Sequence, residues 1–88
     1  MPLIKTLHHG GIRHDGHLVH VFTESSRQKL IYAINNWFLD YSCAKQIDVV
    51  QLPPLDDWQR STEDATFWTV TFPEDGWEVF VRSEVIEF

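Results

Sequence analysis

The stretch Ser25-Ser-Arg-Gln-Lys-Leu-Ile-Tyr-Ala-Ile-Asn-Asn-Trp-Phe-Leu-Asp-Tyr41 decides the architecture of this chain. Leu30, Ile34, Trp37, Phe38 and Tyr41 recur at the spacing of one helical face, Ile31 widens the stripe, and Arg27, Gln28, Lys29, Asn35 and Asn36 fill the other side. That pattern predicts an amphipathic helix over about 26–42 whose apolar face is buried. Ser25 and Gln28 stand at the capping-box spacing, in which each side chain satisfies a backbone N–H at the helix start. Ser42, Ala44 and Lys45 break the periodicity, so the helix is expected to end near Cys43, with Lys45 beside the negative end of the helix dipole.

Working outward, Leu18 to Thr23 is rich in β-branched and aromatic residues and reads as a strand feeding the helix. Asp15-Gly16 before it is a two-residue hairpin signal, because a type I′ turn needs positive φ at both central positions. A preceding strand would use Ile12 to His14 and extend back to Leu3 past Gly10-Gly11, where a bulge is expected. After the helix, Gln46 to Leu52 reads as a short strand halted by Pro53-Pro54, and Leu55 to Ala65 as a loop or single helical turn anchored by Trp58. Thr66 to Phe72 alternates, with Trp68, Val70 and Phe72 on one side and Phe67, Thr69 and Thr71 on the other. Pro73-Glu-Asp-Gly76 closes a hairpin, and the return strand places Trp77, Val79 and Val81 on one face, with a bulge expected near Ser83-Glu84.

The order β(β)αβββ predicts an α+β fold in a single domain over residues 1–88: one helix on a mainly antiparallel sheet of four or five strands. One helix covers one face. Phe67 and Phe80, with Phe22 or Leu18, have the opposite parity and are expected to face away from it, which marks an association surface that a two-fold homodimer would bury. The competing possibility is that the Leu55 to Ala65 loop folds back and covers that face with Trp58.

Composition bounds the function. The 88 residues are 43% apolar and 14% aromatic, too aromatic for a disordered chain, and no apolar run approaches the ~20 residues that span a bilayer. One cysteine excludes an internal disulfide framework, and the opening Met-Pro-Leu-Ile-Lys-Thr-Leu lacks the pattern of a secretory signal, so a cytoplasmic protein without membrane contact is expected. Residues 1–47 hold five Lys/Arg, three acids and all five histidines, whereas residues 48–88 hold two Lys/Arg and ten acids. A net charge of −6 argues against direct nucleic-acid binding, which depends on clustered cations displacing counterions. The acidic C-terminal half is a solvated face or a surface for a basic protein partner.

His14 and His17 flank the predicted turn and share a face, but no acidic or cysteine neighbour completes a metal spacing, so no metal or other cofactor is expected. Cys43 near a helix C-terminus reads as a small buried hydrophobe, and Ser25-Ser26 as a cap rather than a nucleophile. Asp56, Asp57, Glu63 and Asp64 match no calcium loop. These observations point to a non-enzymatic interaction module working through Phe67, Phe80, Trp58, Asp56 and Asp57. The alternative is a small-molecule binding protein with a pocket lined by Trp37, Trp68 and Trp77 between helix and sheet.

The run Val19-His-Val-Phe-Thr-Glu-Ser-Ser-Arg-Gln-Lys-Leu, then Ile34-Asn-Asn-Trp-Phe-Leu, then Ile47-Asp-Val-Val, resembles small bacterial, phage and mobile gene-cassette proteins of the β-α-β-β-β type, most without known activity. The resemblance spans about residues 18–82. It implies an α+β fold and dimerisation and carries over no functional residues.

Overall fold

The computed structural model describes residues 4–48, 50–63 and 66–87. Strand β1 (Ile4–His14) turns at Asp15-Gly16 into β2 (His17–Glu24), and the helix α1 (Arg27–Lys45) follows. A 3-10 turn (Leu55–Asp57) then precedes β3 (Gln59–Arg60), β4 (Phe67–Phe72) and β5 (Trp77–Glu87). All pairings are antiparallel, in the sheet order β2-β1-β5-β4-β3. The fold is therefore α+β, one helix on a five-stranded antiparallel sheet.

The turns form where their chemistry demands. Asp15 (φ 50) and Gly16 (φ 83) supply the two positive φ values of a type I′ hairpin, and Gly76 (φ 76) closes the β4–β5 connection, its N–H donating to Phe72 O at 2.9 Å. The helix cap is one residue later than the sequence pattern suggested. Ser26, not Ser25, accepts from the backbone N–H of Lys29 through its Oγ. At the other end the helix passes Cys43 and stops at Lys45, where Gln46 turns left-handed and donates to Ser42 O.

Leu30, Ile34 and Phe38 are fully buried against Ile12, Val79 and Val81, with Trp77 and Trp58 completing the core. Gly10 lets the helix approach β1 closely, because a Cβ there would lie 3.0 Å from Leu30 Cδ1. The long loop after α1 contributes Val50, Leu52, Leu55 and Trp58 to this same core, with Trp58 Nε1 donating to Pro53 O at 2.9 Å.

Four local expectations are corrected. Among the described residues of 46–52 there is no strand; the fifth strand is instead the two-residue β3, paired with Trp68 and Thr69. The extra residue in the β1–β2 ladder is Val19, opposite the Ile12/Arg13 step, whereas Gly10 and Gly11 pair in regular register. No bulge interrupts β5 at Ser83-Glu84, since its register against β1 is unbroken from Trp77 to Glu87. Cys43 is exposed rather than buried, because it lies on the side of α1 turned from the sheet.

Candidate functional site

Strand parity divides the sheet into a face beneath α1 and a face the helix does not reach. On the second face β1 places Arg13, Gly11 and His9 opposite Glu78, Phe80 and Arg82 of β5. On its flanks β4 adds Phe67 and Thr69, and β2 adds Leu18 and Val21. Phe67 and Phe80 stack with ring centroids 6.0 Å apart at 20°. The Phe80 ring lies over Gly11, where a Cβ would collide with it, so the missing side chain is what lets the ring lie flat on the strand. Arg13 Cζ sits 4.9 Å from the centroid of Phe80, while its Nη1 donates to Glu78 Oε1 at 3.0 Å. One guanidinium therefore caps the aromatic pair and bridges two strands.

The polar groups at the other end of this face also engage one another. His9 Nε2 donates to Glu84 Oε2 at 2.9 Å, which leaves Nδ1, in the neutral ring, to accept from Thr23 Oγ1 at 3.1 Å. His9, Phe67, Phe80, Arg82 and Glu84 line a shallow concavity of about 280 Å³. Leu18 and Val21 remain 58% and 60% exposed at the β2 edge. The patch thus joins two half-buried aromatics and two exposed aliphatics to charges of both signs. Each ion pair here is partly solvated and contributes at most about 1 kcal/mol, so the apolar area carries the energetic potential of this surface.

Of the residues singled out from sequence, Phe67 and Phe80 are brought together here. Trp58 is not: at 5% exposure it belongs to the core beneath the helix side of the sheet, so it neither covers this face nor offers a contact. Leu18 faces this side and Phe22 packs toward the core. Asp56 and Asp57 are exposed on the 3-10 turn, in the loop that closes the helix side, and do not join the aromatic pair.

Trp37, Trp68 and Trp77 do not line one pocket. Trp37 and Trp77 meet edge to face at 5.8 Å, with Phe38 and Tyr41 each 5.3 Å from Trp77, which fills the space between them. Trp68 lies under Arg60 at 5.1 Å and makes no ring contact with either.

The histidines are dispersed. His14 pairs with His17 across the turn, packs at a tilt of 31° against Trp77 with ring centroids 4.2 Å apart, and donates from Nε2 to Asp75 O at 3.0 Å. His20 packs edge-on to Phe22 at 4.6 Å. His8 hydrogen-bonds Ser83 Oγ at 2.9 Å, and burial, then Arg27, then His9 hold its pKa below the ordinary 6.5. Among the described residues no three His, Cys, Asp or Glu side chains are placed to share a metal ion, and no helix is long and apolar enough to cross a membrane.

The sequence reading did not bring Gly11, Arg13, Glu78, His9 and Glu84 together on one face. Their common signal is the pairing of β1 with β5, which strand parity alone does not reveal. Comparison with protein-family models, curated proteins and solved structures finds no match for this chain.

Proposed function

We propose that this chain is a non-enzymatic interaction module that self-associates as a homodimer through the open sheet face and presents its acidic C-terminal half to a protein partner. The observation that carries this reading is the Phe67–Phe80 stack, flanked by exposed Leu18 and Val21, on the face that, among the described residues, neither α1 nor the long loop covers.

Charge supports a second copy as the occupant. The chain carries −6 overall, yet this face mixes Arg13 and Arg82 with Glu78 and Glu84, so two copies meet there without the repulsion the rest of the surface imposes. The exposed lone cysteine fits a protein working in the reducing cytoplasm.

Light scattering on the wild type and on Phe80→Asp tests the reading. The wild type is expected at twice the chain mass and the variant at the chain mass, with unchanged far-UV circular dichroism. A wild-type monomer, or a dimer indifferent to the substitution, removes the sheet face from the interface.

A further inference from the structure

We propose that the outer edge of β2 pairs antiparallel with β2 of a second copy of this chain, joining two five-stranded sheets edge to edge. This goes beyond the open-face reading and stands apart from it: the contact is made along the margin of the sheet and leaves the Phe67–Phe80 stack untouched.

The sheet order puts β2 and β3 at its margins, and among the described residues no strand lies outside either. β3 is two residues long and offers little to pair with. β2 runs for eight residues, His17–Glu24, without a Lys, Arg or Pro, so it lacks the side chains that ordinarily keep an edge single. Its one irregularity is the extra residue Val19, after which His20 to Glu24 run in unbroken register with Ile12 to His8 of β1. Those five residues are the part of the edge that can template another strand.

Symmetry then fixes the register. Two identical strands that meet about a two-fold axis normal to the sheet overlap over the whole of His20 to Glu24 only when Phe22 sits on the axis. His20 then lies opposite Glu24 of the second copy, Val21 opposite Thr23, and Phe22 opposite its own counterpart. Pairing with β1 puts His20, Phe22 and Glu24 on the helix side of the sheet, with Ile12, Gly10 and His8, and Val21 and Thr23 on the open side, with Gly11 and His9. The axis keeps each side on its own side, so every pair has matching faces. An imidazole meets a carboxylate twice, two β-branched residues meet twice, and two aromatic rings meet at the centre, all of them favourable cross-strand pairs. Among the described residues the side chains of His20 and Glu24 make no hydrogen bond or ion pair within the chain, so each is available to the other copy. The ground beside Glu24 is also open: a concavity of about 530 Å³ is lined by Glu24 together with Lys29, Tyr32, Ala33 and Asn36 of α1. It leaves room for the incoming imidazole on the helix side. A strand of unrelated sequence would find the same backbone, but the charge and aromatic complementarity of this segment is to itself.

Disulfide trapping tests the register. In a Cys43→Ser background, Val21→Cys and Thr23→Cys chains are mixed at millimolar concentration under mild oxidation, and the linked species are identified by mass spectrometry. The mixed 21–23 disulfide is expected to exceed both like-with-like disulfides about fivefold or more, because directly opposite positions stand about 5 Å apart and diagonal ones about 7–8 Å, beyond the reach of a disulfide. Sedimentation equilibrium of Phe80→Asp separates this contact from the open-face one. That variant is expected at the chain mass in dilute solution and to rise toward twice that mass at millimolar concentration, and adding Glu24→Lys, which sets two cationic side chains against the two histidines, should raise the concentration needed about fivefold. Statistical mixing of the three disulfides, or a folded Phe80→Asp chain that stays at the chain mass throughout, overturns the proposal. Trapping of a cysteine-bearing Val-Thr peptide of unrelated sequence as efficiently as the second copy gives the edge to other strands and also overturns it. A dominant 21–23 disulfide in a dimer indifferent to Phe80→Asp removes the open-face reading and keeps this one. The trapping is done in chains that retain Phe80, so it decides the matter even if Phe80→Asp does not fold.

Discussion

Replacing Gly11 by alanine should destabilise the protein, and the effect should change sign once Phe80 is removed. A Cβ at position 11 would lie 2.6 Å from Phe80 Cε1, so the ring must swing off the strand. On leaving, it forfeits its stack with Phe67, worth about 0.5–1.5 kcal/mol. It also forfeits the Arg13 guanidinium above it, worth about 0.5–1 kcal/mol at an exposed site. Alanine returns roughly 0.5–1 kcal/mol, because glycine loses more conformational freedom in a strand. The balance is a net loss of about 1 kcal/mol, and at most about 2 kcal/mol, for Gly11→Ala in the wild-type background. In a Phe80→Ala background there is no ring to displace, and the same substitution should stabilise by about 0.5–1 kcal/mol. The coupling between the two positions is then on the order of 1–2.5 kcal/mol, well above the scatter expected for independent sites. Urea denaturation followed by tryptophan fluorescence measures all four corners of the cycle, at concentrations where every variant is monomeric. Equal effects of Gly11→Ala in both backgrounds would refute the assignment of Phe80 to the space over Gly11.

The remaining predictions concern the helix cap and one histidine. Ser26→Ala should cost about 1 kcal/mol, because it removes the acceptor of the Lys29 N–H, whereas Ser25→Ala should cost a few tenths; equal losses in thermal melts would contradict the cap assignment. His8 titrates below 6.5 in the folded chain, so the unfolded chain takes up that proton first. Its contribution to stability is complete above about pH 6.5 and is lost as pH falls toward the lower folded value. His8→Asn should therefore reduce the drop in urea midpoint between about pH 7.5 and about pH 5.5, and an identical drop in wild type and variant would contradict it.

What could be read from sequence was local. The 3.6-residue spacing of Leu30, Ile34 and Phe38 identified the helix and its buried face, and the alternation of Trp68, Val70 and Phe72 against Phe67 separated the two sides of β4. Asp15-Gly16 and Gly76 marked their turns because backbone sterics leave few other residues able to occupy positive φ. Where two local signals competed, tertiary structure chose. Ser25 and Ser26 both fit a cap, and the strand length of β2 placed the second at the helix start. Gln46 to Leu52 reads as a strand, yet the sheet already has β4 beside β5, and Val50 and Leu52 pack on the core from a loop. Trp58 could equally have covered either side of the sheet; the pairing of Gln59 with Thr69 sets the parity that turns Trp58 toward the core. The Arg13–Glu78 and His9–Glu84 contacts depend on residues 65 and 75 positions apart, a separation no periodicity encodes.

The centre of the sheet is the pairing of β1 with β5, the two eleven-residue strands farthest apart along the chain. During translation the β1–β2 hairpin and α1 leave the ribosome while β1 still lacks its inner neighbour and Leu30, Ile34 and Phe38 lack Val79 and Val81. The nascent chain has no closed sheet until β5 has been synthesised, and loop closure over some seventy residues then precedes every central contact. The sheet is therefore completed only once β5 is available, and its formation is slow for a domain of this size.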